Sequence, residues 1–219
     1  MILVPVKNLA HAKQRLSSVM NQPERTHLAQ AMLHDVLEAI ANWGVLPCTV
    51  VTADSYACEL ADQLGMEVIP DPENPGETGA IEMATRICVE RGCSSTLVFP
   101  ADIPLLRPEE MSEIVKHAPA RGTLLVPAGD GRGTNAAFRS PADLFPLRFG
   151  NDSFRPHLAA ARAVNLPCVV IELPGVAVDV DRPDDLFQLA ALPGDTRAQQ
   201  FVRAHLRGWE LLPTGSGPS

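Results

Sequence analysis

Two short segments, Asp130-Gly131-Arg132-Gly133-Thr134-Asn135 and Phe149-Gly150-Asn151-Asp152-Ser153-Phe154, each combine glycine with hydroxyl and amide side chains. Glycine permits a tight turn and a close approach of backbone to ligand. Hydroxyls such as those of Thr134 and Ser153, with nearby amide N–H groups, can cradle a phosphate or carboxylate. A single turn of this kind is ordinarily a polar surface loop. These two, however, lie between an apolar run that ends in Asp102 and another that carries Asp179 and Asp181. Three aspartates beside anion-cradling loops point to a magnesium-dependent site for phosphorylated substrates.

Asp102 directly follows Thr96-Leu97-Val98-Phe99-Pro100-Ala101. In open α/β sheets ligands bind beyond the carboxyl ends of the strands, so a carboxylate there faces the site. The competing reading is a turn or cap residue before Pro104. In Asp179-Val180-Asp181 the two acids share one face if the segment is extended. Carboxylates so placed repel unless a cation lies between them, and Mg2+ prefers such hard oxygen ligands. A helix start at Asp181 or Arg182, with Pro183 in the first turn and Asp184 and Asp185 favouring the dipole, accounts for Asp181 but leaves Asp179 unexplained.

Lys7, Lys13 and Arg15 follow the first strand without the Gly-x-x-x-x-Gly-Lys pattern of a P-loop. They could clamp a triphosphate and neutralise charge during displacement, or form a solvated basic segment. Thr52 and Asp54 end the second strand and could read a nucleobase, since a carboxylate accepts the adjacent N–H groups of guanine. His157 is the one histidine near a candidate loop and reads as a helix residue packing behind Ser153. No nucleophile–histidine–acid arrangement is evident. In-line phosphoryl chemistry needs none, because positioning and charge neutralisation carry it.

Short apolar runs alternating with longer helical patterns must position these residues, the signature of α/β architecture with a mostly parallel sheet. Strands are expected at Ile2–Val6, Thr49–Thr52, Glu67–Pro70, Thr96–Phe99, Thr123–Pro127, Asn135–Arg139, Val169–Leu173 and Val176–Val180. Helices are expected at Pro23–Asn42, Ser55–Leu64, Ala80–Arg91, Pro108–His117, Asp152–Val164, Pro183–Leu192 and Thr196–Arg207, with a Pro- and Gly-rich loop over Asp71–Gly79. The 219 residues suffice for one well-filled domain over residues 1–212, with a disordered Gly/Ser/Pro tail over 213–219.

A net charge of −8 argues against a nucleic-acid-binding surface, while leaving room for a locally positive nucleotide pocket. The five cysteines form no Cys-x-x-Cys pair and are odd in number, so buried free thiols in a reducing compartment are expected. With no apolar run near the ~20 residues that span a bilayer, a cytoplasmic protein without membrane contact is expected. Assembly as a homodimer is compatible with these features.

Val4-Pro5-Val6-Lys7, Ala12-Lys13-Gln14-Arg15-Leu16, Val51-Thr52-Ala53-Asp54, Pro100-Ala101-Asp102-Ile103-Pro104-Leu105, Gly133-Thr134-Asn135, Gly150-Asn151-Asp152-Ser153-Phe154, His157 and Asp179-Val180-Asp181-Arg182-Pro183-Asp184-Asp185-Leu186 together resemble the 2-phospholactate guanylyltransferase family. That family includes the phosphoenolpyruvate and 3-phosphoglycerate guanylyltransferases of coenzyme F-420 biosynthesis. The resemblance runs from Met1 to about Leu189. It implies a Rossmann-like nucleotidyltransferase fold of the glycosyltransferase-A type, and condensation of GTP with a phosphorylated three-carbon acid, releasing pyrophosphate. By that likeness Asp102, Asp179 and Asp181 would hold Mg2+, and Lys13 and Asp102 would serve catalysis. Thr134, Gly150 and Ser153 would hold the acid, and Lys7, Lys13 and Arg15 the triphosphate. The family's usual Asn-Ala pair after Asp71 is replaced here by Glu77-Thr78-Gly79-Ala80.

The rival readings are a molybdopterin- or sugar-phosphate nucleotidyltransferase and a non-catalytic nucleotide-binding regulator on the same fold. The first expects a Gly-Gly-rich loop after the first strand, which Val6-Lys7-Asn8-Leu9 lacks. The second does not require three metal-binding carboxylates.

Overall fold

Strand β1 (Ile2–Pro5) is apolar at every position and completely buried. Ile2 and Val4 pack into one core and Leu3 into another, as the two-residue period of a strand covered on both faces demands. The structure, a computed structural model, describes residues 1–73, 76–150 and 152–209. The expected tail and Asn151 of the second glycine segment lie outside them.

The other strands are β2 (Cys48–Thr52), β3 (Glu67–Pro70), β4 (Thr96–Val98), β5 (Gly122–Pro127), β6 (Thr134–Ser140) and β7 (Cys168–Val170). They form one sheet in the order β3-β2-β1-β4-β6-β5-β7. Only β6 runs antiparallel, pairing with β4 and β5, so the carboxyl ends of the other strands open on the same side.

The longest helix, α1 (Gln22–Trp43), is opened by a capping box between Asn21 and Glu24 and closed at Gly44, whose φ of 59° suits glycine. Leu28, Met32, Leu33, Val36, Leu37 and Ile40 form its buried stripe. The same face of the sheet is covered by α2 (Ser55–Gln63), α4 (Pro108–His117), α6 (Pro183–Ala191) and α7 (Arg197–Trp209). The opposite face is covered by α3 (Glu77–Glu90) and α5 (Phe154–Ala163). All five cysteines are free. Among the described residues, no helix is long and apolar enough to cross a membrane.

Three boundaries depart from expectation in ways that shape the site. Helix α3 begins at Glu77 rather than Ala80, which brings Glu77 to the cleft wall. Helix α5 begins at Phe154, leaving Asp152 and Ser153 in the preceding turn. The third correction is Val176–Val180, which is not a strand, while the run expected at Val169–Leu173 shortens to β7. Residues 174–177 turn back, pinned where the Gly175 N–H donates to the buried Glu110 carboxylate at 2.6 Å. A Cβ on Gly175 would lie 2.2 Å from the Leu105 carbonyl oxygen, so only glycine fits this approach. The chain then crosses the top of the sheet through isolated bonds, Gly129 N–H to the Ala177 carbonyl and Val180 N–H to the Asp102 carbonyl, instead of a ladder.

Candidate active site

At the carboxyl ends of the parallel strands lies a cleft of about 1020 Å3. Lys7, Lys13, Arg15, Asp102, Thr134, Gly150, Ser153, Asp179 and Asp181 all line it. Thr52 and Asp54 do not line it, and the structure gives both a different employment from the expected base contact. The Thr52 hydroxyl donates to the Val6 carbonyl at 2.8 Å and accepts from the Asp54 N–H. The Asp54 carboxylate caps α2 through the Ala57 N–H and also accepts from the Leu9 N–H at 2.9 Å. These two residues therefore brace the loop that presents Lys7 and Lys13.

That loop is two single 3-10 turns, Leu9–His11 and Gln14–Leu16, joined at Lys13. Lys13 sits in the left-handed region with φ 54°, uncommon for a residue bearing a side chain. Its ammonium points inward, 2.5 Å from Asp102 Oδ2 and 2.8 Å from Asp181 Oδ1. Arg15 reaches the other Asp181 oxygen at 3.2 Å. Burial by itself would lower the Lys13 pKa, but Asp102 and Asp181 more than reverse this and hold it above its ordinary value. On Asp181 burial acts upward, and Lys13 and Arg15 overcome it, leaving the carboxyl below its usual range.

Asp102 and Asp181 converge because the Val180 N–H bonds the Asp102 carbonyl across the sheet top. The cap at the start of α6 is made not by Asp181 but by Asp185, which accepts from both the Asp181 and Arg182 N–H groups. Asp179 is held by Asn135, whose amide donates to it at 3.0 Å and to the Val176 carbonyl at 2.9 Å. Burial raises Asp179 to about 6, with Asn135 opposing and Asp102 and Asp181 adding. Asn135 was part of the glycine motif, but nothing in the sequence assigned it this partner.

Glu77 is a cleft residue that sequence reasoning missed. Burial and then Asp102 push its carboxyl up to about 7, against the pull of Lys7 and Lys13. The signal was present in the Glu77-Thr78-Gly79-Ala80 departure, but a loop boundary drawn through Gly79 hid the helix start.

Around Thr134 and Ser153 the buried side chains are uncharged. The Thr134 N–H donates to the Ser153 hydroxyl at 3.0 Å, and both residues are buried. His157 Nδ1 lies 2.9 Å from the Thr134 hydroxyl, so the histidine does pack behind this pair. Burial and the Arg139 charge lower its pKa to about 4. Gly150, with φ 132°, adopts a backbone that side chains disfavour. Arg132 and Asp152, paired through two guanidinium nitrogens, join the two glycine segments at the rim, and the Phe154 N–H donates to the Arg132 carbonyl.

Eight carboxylates (Glu77, Asp102, Asp130, Asp152, Asp179, Asp181, Asp184, Asp185) line the cleft against five cations (Lys7, Lys13, Arg15, Arg132, Arg182). A polyanionic ligand entering such a wall needs further positive charge. Hard carboxylate oxygens already gathered on a cation, here the Lys13 ammonium, are a donor set that suits Mg2+. Among the described residues, no three acidic, histidine or cysteine side chains close on one point by themselves.

The family described as guanylyl transferase, CofC like, matches residues 1–208. The chain is 37% identical over 219 residues to a phosphoenolpyruvate guanylyltransferase from Roseiflexus sp. strain RS-1, covering 99% of this chain and 97% of the relative. It is 32% identical to a 2-phospho-L-lactate guanylyltransferase from Methanothermobacter thermautotrophicus, covering 92% and 88%. A solved structure from Desulfovibrio desulfuricans G20, provisionally called a nucleotide-diphospho-sugar transferase, superposes with a TM-score of 0.74 at 17% identity over 95% of this chain and 96% of that one. That likeness shows that the two chains share a fold.

Proposed function

Since the chain belongs to the CofC-like guanylyl transferase family and is a guanylyltransferase, we propose that its acceptor is a phosphorylated three-carbon acid, phosphoenolpyruvate first, as a step of coenzyme F-420 biosynthesis. The observation that carries this reading is one cleft with a charged wall at Lys13 and a neutral, hydroxyl-bearing wall at Thr134 and Ser153. The first suits a triphosphate; the second suits a small acid's anionic group. Phosphoenolpyruvate stands first because the Roseiflexus relative bears its name. The Methanothermobacter relative favours 2-phospho-L-lactate as the second choice, and 3-phosphoglycerate is the third acid to compare.

In the reaction a phosphate oxygen of the acid attacks the α-phosphorus of GTP. One P–O bond forms, the α–β bridge breaks, and pyrophosphate leaves with its electron pair. Lys7, Lys13 and Arg15 bind and neutralise the triphosphate, and Lys13 reaches it by releasing Asp102 and Asp181. Thr134, Gly150 and Ser153 orient the acid so that its phosphate lies in line. Asp102, Asp179 and Asp181 would hold Mg2+, which supplies charge neutralisation for the triphosphate and the departing pyrophosphate. No side chain need take a proton, since the attacking phosphate is already anionic.

The test is pyrophosphate release with each of GTP, ATP and CTP against phosphoenolpyruvate, 2-phospho-L-lactate and 3-phosphoglycerate, with and without Mg2+. Release with GTP and one of these acids, abolished by EDTA, is the expected result. Release with a sugar phosphate or molybdopterin in their place, or with no acceptor of this class, would overturn the reading.

A further inference from the structure

The loop leading to Gly150 belongs to no helix or strand, yet three consecutive N–H groups in it each donate to a side chain. Leu147 donates to Glu82 Oε1 at 3.0 Å, Arg148 to His157 Nε2 at 2.7 Å, and Phe149 to the Thr78 hydroxyl at 2.9 Å. The central bond fixes a proton. Because Nε2 accepts from the Arg148 N–H, it carries a lone pair, and a neutral imidazole must then hold its hydrogen on Nδ1. His157 is 1% exposed, and its lowered pKa keeps the ring neutral near pH 7.

Nδ1–H therefore donates to the Thr134 hydroxyl. With that bond accepted, the hydroxyl's own hydrogen has no other partner among the described residues, and Thr134 lines the cleft. Ser153 is in the same condition, since its hydroxyl accepts from the Thr134 N–H. Both hydroxyls keep a proton to give, the polarity an anion needs. The ring of Phe149 packs against His157 in an edge-type contact, with centroids 5.2 Å apart.

We propose that His157 is a positioning residue: as its Nδ1–H tautomer it orients the Thr134 hydroxyl as a donor to the anionic acid and pins the Arg148–Gly150 loop in the same act. The proposal rests on the reading that Thr134 and Ser153 face the acid rather than GTP. It assigns His157 more than the packing its place in α5 suggests, without contact to the substrate.

Three measurements test it. Long-range 15N–1H correlation spectra of the wild-type protein at neutral pH should show Nδ1 of His157 protonated and Nε2 bare; the opposite tautomer overturns the proposal. His157→Phe should raise KM for the acid roughly tenfold, the scale of one hydrogen bond to a charged group, with KM for GTP essentially unchanged. His157→Gln, whose amide can replace one of the two bonds, should fall between. In a Thr134→Val background there is no hydroxyl to orient, so His157→Phe should cost distinctly less than in wild type. An equal cost in both backgrounds would make the role merely structural and overturn the proposal. If Thr134→Val raises KM for GTP and spares the acid, the acid-pocket reading fails. If Thr134→Val raises KM for the acid while His157→Phe does not, the His157 proposal alone fails.

Discussion

Around Lys13 the cleft wall is held together by charge, whereas around Thr134 its buried centre is held by neutral donors and acceptors, with the Arg132–Asp152 ion pair at the rim and the Glu82 carboxylate behind the loop. On the first wall one ammonium balances two carboxylates, and Asp179 and Glu77 lie under their influence at raised pKa values. On the second, hydroxyl, imidazole and backbone amide pair at fixed polarity, buried from water. Charge attraction tolerates changes of partner and distance, so the first wall can exchange its internal ion pairs for a ligand. Neutral hydrogen bonds tolerate little, and a site built from them rejects an analogue that leaves its polar groups unpaired. On the proposed function, affinity for a polyanion and discrimination among small acids would fall to different walls.

The largest expected effect breaks the charged wall. With Asp102 holding Mg2+ as proposed, Asp102→Asn should lower the rate of pyrophosphate release about a hundredfold or more, several kcal/mol of charge stabilisation being at stake. Retention of more than about a tenth of the wild-type rate, a loss under ~1.4 kcal/mol, would remove Asp102 from the chemistry.

Next comes the stability burden that this wall carries. Asp179 is raised from 3.8 to about 6, chiefly by burial. The fold therefore favours its protonated form, and that contribution is full below pH 3.8 and lost as pH rises through about 6. The ionised group then burdens the ligand-free protein by about 3 kcal/mol. Asp179→Asn, whose side-chain oxygen can still accept from Asn135, should gain thermal stability over wild type as pH rises from about 4 to 7. Parallel melting-temperature profiles for the two proteins would show that the burden is not there.

Thr134→Val and Ser153→Ala sharpen the contrast from the neutral side. Each should weaken binding of the acid about tenfold and leave GTP nearly untouched, one hydrogen bond to a charged ligand being at stake. Ser153→Ala also orphans the buried Thr134 N–H and should cost about 1 kcal/mol of stability. Calorimetry giving equal losses for both ligands would dissolve the division between the walls. The smallest effect is expected at Glu77. Glu77→Gln should tighten GTP a few-fold at pH 8, by removing a like charge, and make little difference at pH 6, where a carboxyl near 7 is already largely protonated. A pH-independent effect would argue against electrostatics as its cause.

Much of this was legible in the sequence because it rests on local pattern. The apolar stripe of α1, the strand ahead of Asp102 and the glycines beside Thr134 and Ser153 declare themselves within a few residues. What was not legible depends on contacts between distant segments. Asp54 ends a strand as a base-reading acid should, but only the fold reveals that Leu9 and Ala57 already occupy its carboxylate. The alternation of Val176–Val180 satisfies a strand pattern, yet the segment makes only isolated bonds, to Gly129 and Asp102, and the glycine at 175 turns it across the sheet top. Asp179 and Asp181 still reach one cleft, by a route that strand geometry did not supply. Histidine tautomers and the partners of Asn135 are invisible to pattern altogether.

The three side chains that hold Leu147, Arg148 and Phe149 also make that loop unusual in isotope exchange. A segment outside helices and strands ordinarily trades its amide hydrogens for deuterium quickly, because water reaches them without any opening event. Here each amide can exchange only when Glu82, His157 or Thr78 lets go, so this short stretch should remain protonated long after other loops have filled with deuterium. Its labelling rate is a built-in clock for opening of the neutral wall. Salt strong enough to loosen the Lys13 ion cluster should leave that clock running at its original pace.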